Sequence, residues 1–111
     1  MVYIHHAISV KWVVLNGNKY LSEKSLVVAT VDSNDMPVFG RVTDIFVLDS
    51  ILYCFEFQRY STVCYDRDYM SYKVEVPNLA QGNELLNAEK LVDFTLYYSY
   101  SNNMGAYVPM K

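Results

Sequence analysis

The sequence has little of what most enzyme chemistry requires: two cysteines, two histidines and four glycines in 111 residues. Four scattered glycines make no phosphate-cradling loop, and two cysteines make no paired-cysteine zinc site. The histidines, His5 and His6, are neighbours. Adjacent side chains of an extended segment point to opposite faces, so they chelate poorly, and no ligand stands near them at metal spacing. A nucleophilic pair would need Cys54 or Cys64 beside one of these terminal histidines, with an acid to orient it, and nothing in the pattern favours that meeting. No cofactor or metal is expected, and the chain reads as no enzyme.

Other absences narrow the partners. No apolar run approaches the roughly 20 residues that span a bilayer, and the N-terminus lacks the charged and apolar regions of a secretory signal. The expectation is a soluble, intracellular chain without a membrane partner. Nine Lys and Arg are dispersed among twelve Asp and Glu, for a net charge of -3. Strong duplex binding draws on concentrated positive charge, so no strong nucleic-acid binding is expected of this domain alone. The two cysteines are expected as reduced, partly buried thiols in preference to a disulfide across a hairpin.

What the chain does have is apolar and aromatic surface: 52% hydrophobic residues and eleven tyrosines. That suffices for one domain with a modest core, residues 1–111. Periodicity reads as strand almost throughout. In "ISVKWVVL" Ile8, Val10, Trp12 and Val14 share a face, and Asn16-Gly17 follows as a hairpin turn, since both residues tolerate positive φ. "KSLVVATVDS" is a β-branched run suited to a strand covered on both sides, closed by the turn residues "SNDMP". From Val38 the apolar positions are even (Val38, Val42), but beyond Asp44 they are odd (Ile45, Val47). That change of phase predicts a bulge between Gly40 and Asp44, the device that curls a sheet toward a barrel.

The stretch "LYCFEFQRYSTVCYDRDYMSYKVEV", residues 52–76, carries seven aromatic side chains. Parity divides it into three strands. Tyr53, Phe55 and Phe57 share an inner face, a turn at Arg59 to Ser61 leads to Val63 and Tyr65, and a turn at Asp66 to Asp68 leads to Tyr72 and Val74. "PNLAQGNE" reads as a loop, and "NELLNAEKLVDF" as a short helix near 83–91 capped by Asn83, or an irregular return. A last hairpin turns at Asn102-Asn103. The chain then stops soon after Pro109, which suggests a domain excised from a longer protein. The expected architecture is mainly β, a small bent antiparallel barrel or meander of about six to eight strands, with Trp12, Val14, Val28, Val42, Phe55, Phe57, Tyr72 and Val74 in its core.

Asp66 and Asp68, with Glu56, have the residue types of general acids and bases, but aspartates in a turn usually bond their own backbone. Tyr60 and Tyr69 at strand ends, and Tyr97, Tyr98 and Tyr100, are left unplaced by alternation. Tyr60, Tyr65 and Tyr69 are expected to gather near Asp66 at one end of the barrel. Aromatics beside a carboxylate can cage a methylated ammonium, tyrosines on an outer strand suit a protein interface, and both can simply be structural. The favoured reading is a non-catalytic interaction module that binds a protein or peptide partner, the alternative a homodimerisation domain.

The run "MPVFGRVTDIFVLDSILYCFEFQRYST", then "YMSYKVEV" and "AYVPMK", resembles a domain of transposon-derived animal proteins over roughly residues 11 to 111. No catalytic or ligand motif comes with that resemblance. The bent meander is also similar in form to Tudor-like and bromo-adjacent-homology modules of chromatin proteins, an analogy of fold that implies a nuclear setting.

Overall fold

The computed structural model describes residues 7–49, 52–76, 82–91 and 93–110. His5-His6, the Ser50 position of one expected turn and residues 77–81 of the expected loop lie outside them.

The two longest strands form the central hairpin, β5 (Pro37–Leu48) with β6 (Leu52–Asp66), and four further strands pair directly with it. The first half of β5 pairs with β4 (Leu26–Val31), the second half with β1 (Ala7–Val10). On its far side the first half of β6 pairs with β8 (Glu84–Asn87). Its second half pairs with β7 (Ser71–Glu75), which continues into β10 (Gly105–Pro109) and β9 (Tyr100–Asn102). All pairings are antiparallel, and the sheet curls into a half-barrel. β2 (Trp12–Leu15) and β3 (Asn18–Leu21) make a separate hairpin. Its turn has φ of 52° at Asn16 and 82° at Gly17, the two left-handed positions that the sequence pattern requires.

The curl has a local cause. The ladder between β5 and β6 shifts register between Val42 and Asp44, inside the segment where apolar parity changes. β5 continues through the bulge, and the extra residue, Thr43, donates its hydroxyl to the Glu56 carbonyl at 3.0 Å. Further register shifts fall between Val28 and Thr30 and between Thr62 and Cys64. Each bulge adds twist. Just before the bulge on β5, Gly40 leaves room for the Phe57 ring: a Cβ there would lie 2.5 Å from it.

The central sheet is buried on both faces. Val13, Tyr20, Val27, Val42, Ile45, Phe55, Ala88 and Leu91 form one core, under the β2–β3 hairpin. Leu26, Val28, Phe39, Tyr60, Val74, Ala106 and Val108 form the other, inside the curl. Val28, Val42, Phe55, Phe57 and Val74 are buried as expected, and Tyr72 packs against the second core.

Three expectations are corrected. Trp12 and Val14 are 54% and 53% exposed, whereas Val13 is buried. The extended run breaks at Lys11, and β2 then faces the core through Val13 opposite Tyr20. Second, no turn occurs at Arg59 to Ser61, because β6 runs unbroken to Asp66. Phe55 and Tyr60 differ in parity because each faces a different core. Third, the short helix near 83–91 is instead β8 followed by a single 3-10 turn, Ala88–Lys90. Asn87, rather than Asn83, caps that turn, its Oδ1 accepting the Glu89 N–H at 3.0 Å. Pairing with the edge of β6 overrides the helical spacing of Leu86 and Lys90. A bidentate ion pair from Arg59 to Glu84, 2.8 Å on each side, fastens this strand.

Candidate functional site

Register sorts the tyrosines of the β6–β7–β10–β9 sheet into two faces. Tyr65 lies opposite Tyr72, and Tyr72 opposite Val108, a row that belongs to the inner core. The adjacent row, Cys64, Lys73, Tyr107 and Tyr100, lies on the outer face because successive side chains alternate.

The outer row becomes a rack of rings through the β6–β7 turn. Asp66 Oδ1 accepts the N–H groups of Asp68 at 2.9 Å and Tyr69 at 3.3 Å. This bonding and a positive φ of 51° at Met70 set the turn. Asp66 is thereby occupied by its own backbone. The turn lays the Tyr69 ring 4.8 Å from that of Tyr107, while Tyr100 stacks on Tyr107 at 5.6 Å with only 23° between planes. Tyr107 in the middle is 2% exposed and Tyr69 43%. Burial raises the Tyr107 phenol above its ordinary range, with the neighbouring Tyr69 and Asp66 adding to it.

Of the four expected site residues, then, only Asp66 and Tyr69 share a place. Tyr60 pairs with Phe39 mid-strand and is buried in the inner core. Tyr65 is on the inner side, its ring edge-on to Tyr72 at 5.1 Å and its hydroxyl 3.8 Å from Met70 Sδ. Tyr107 was missed, since nothing local in "GAYVPM" distinguishes an outward ring covered by two others from a core residue.

Two surface cavities are lined by described residues. The larger, about 430 Å³, lies between Lys11, Trp12, Ser22, Lys24 and Asp44. There Ser9 donates to Asp44 Oδ1 at 2.6 Å. The smaller, about 330 Å³, lies at the mouth of the half-barrel between Val28, Val31, Asp35, Tyr72, Asp93 and Tyr97. Among the described residues no cluster of three His, Cys, Asp or Glu has the geometry to hold a metal ion. Both cysteines are free: Cys54 and Cys64 sit on one strand, roughly 30 Å apart at strand rise, so no hairpin brings them together. Burial pushes the Cys54 thiol up.

Comparison of the chain with protein-family models, with curated proteins and with solved structures finds no match.

Proposed function

We propose that the chain is a non-catalytic interaction module, acting inside the cell, that binds a protein or peptide partner through the outer tyrosine surface of the β6–β7–β10–β9 sheet. The observation that carries this reading is the contact series Tyr69–Tyr107–Tyr100 on the outer face of the sheet, with Tyr69 43% exposed at its end. Rings packed on one another are pre-ordered, so a partner gains large contact area at small entropic cost. β9 adds an outer edge without a strand partner among the described residues, a place where an extended peptide can pair. Free cysteines suit an intracellular setting.

Homodimerisation is the second reading, supported by a different observation. Trp12 and Val14 form the outward apolar phase of β2, with Ile8 also 58% exposed on β1. A second copy covering those side chains would remove that surface from water.

A photo-crosslinking residue at Tyr100, in cells expressing the chain, would capture the partner for identification by mass spectrometry. The purified partner is then titrated against wild type, Tyr69→Ala and Tyr100→Ala. The expected result is affinity weaker by about tenfold in at least one variant, with the unfolding midpoint retained. Unchanged affinity in both overturns the reading. A concentration-dependent dimer abolished by Trp12→Ser would establish the second reading instead.

A further inference from the structure

The mouth cavity has a composition that calls for a particular ligand. Val28, Val31 and Pro37 supply apolar wall, Tyr72 and Tyr97 supply rings, and Asp35 and Asp93 supply charge. No Lys or Arg is among its described lining residues, and neither aspartate has an ion-pair partner among the described residues. The rings are held in place: Tyr72 and Tyr97 each pack against Phe39, at 5.8 and 5.3 Å, and the Tyr97 N–H bonds the Leu26 carbonyl at 3.0 Å. Asp93 is fixed as well, Oδ1 accepting the Thr95 N–H at 2.8 Å and Oδ2 the Tyr97 hydroxyl at 2.7 Å. Burial opposes its charge, but those bonds outweigh it and keep the carboxyl ionised below the usual range.

The Asp93 carboxylate is held by hydrogen bonds alone, with no cation beside it among the described residues. Rings with a negative π-face beside it attract the same sign of charge, and the apolar wall suits an alkyl stem. The geometry points to this cavity as a binding site for an alkylammonium group, the lysine side chain of a partner peptide. It is separate from the outer tyrosine surface, lying on the opposite face of the β6–β7 hairpin.

The test is a nuclear magnetic resonance titration of the whole chain with n-butylammonium, and with 1-butanol as its neutral counterpart. Saturable shifts are expected at the Val28, Val31 and Met110 methyls and the Tyr97 ring, with 1-butanol weaker by about fivefold or more. Asp93→Asn and Asp35→Asn should each weaken butylammonium binding by a few fold, whereas Tyr69→Ala should leave it unchanged. Asp35 has a φ of 59°, which asparagine accepts readily, so Asp35→Asn still decides the matter where Asp93→Asn disturbs folding. Equal binding of 1-butanol, shifts centred elsewhere, no saturable shift, or binding unaffected by Asp35→Asn overturns the assignment. Loss of partner binding at the tyrosine rack with butylammonium binding intact would separate the two sites.

Discussion

Tyr97 donates its hydroxyl to Asp93 across 2.7 Å, and the bond moves the two groups in opposite directions. Burial, then the bond to Asp93, pushes Tyr97 from 10.0 up to about 12, while Asp93 is held below the ordinary carboxylate range. The folded state therefore holds the Tyr97 proton more tightly than the unfolded chain does, and the Asp93 proton less tightly. The stability tied to Tyr97 is complete below about pH 10 and is lost as pH rises toward about 12. That tied to Asp93 is present above the unfolded carboxylate value, about 3.9, and is lost as pH falls through the lower folded value. Tyr97→Phe should remove the latest-titrating component of the tyrosinate absorbance and flatten the alkaline limb of stability against pH. An identical titration in the variant would refute the assignment.

Phe55→Ala should destabilise by about 3–5 kcal/mol, because it empties a site fully enclosed in the first core. Trp12→Ala should cost about 0.5 kcal/mol or less, since that ring is mostly in solvent with the Lys19 ammonium 4.6 Å above it. Denaturant unfolding of both variants checks the strand phase at once. A large loss at Trp12 would mean that β2 packs the other way round.

Gly40→Ala should destabilise by about 1–3 kcal/mol through overpacking, because the new methyl meets the Phe57 ring at 2.5 Å. The clash is with one side chain, so the cost should shrink when Phe57→Leu is present. A double-mutant cycle measures this, and strict additivity would show that something other than Phe57 demands the glycine.

Glu84→Gln should cost no more than about 1 kcal/mol, because the Arg59–Glu84 pair is well aligned yet 35% and 40% exposed on its two sides. The bond to Arg59 lowers the Glu84 carboxyl despite partial burial, so its contribution is lost as pH falls through that folded value. Hydrogen exchange of β8 should quicken in the variant before the rest of the sheet responds. Uniform acceleration across β5 and β6 would contradict a local fastening role.

Cys64 should react with a bulky thiol reagent well before Cys54, since the first is exposed and the second is half-buried with a raised thiol. Timed alkylation read by peptide mass decides the order. Faster labelling of Cys54 would place the wrong face of β6 outward.

What the sequence by itself determined is local and follows from bonded geometry. Asn16-Gly17 set a turn because those two residues tolerate positive φ. The parity change between Val42 and Ile45 marked the bulge because one extra residue reverses alternation. The last hairpin closes near the expected place but one residue on, at Asn103-Met104, and its positive φ falls on Gly105 rather than on an asparagine. The tertiary structure alone decided which faces are covered. Val13 is inside and Trp12 outside because the hairpin carrying them packs through Tyr20, a partner that alternation in "WVVL" cannot indicate. Phe55 and Tyr60 both lie inside because β6 passes from one core to the other, so the buried phase changes along a strand that does not turn. The ring contacts of the two surfaces followed the same logic. Tyr69 meets Tyr107, and Tyr97 meets Asp93, through register and chain return rather than through any spacing along the chain.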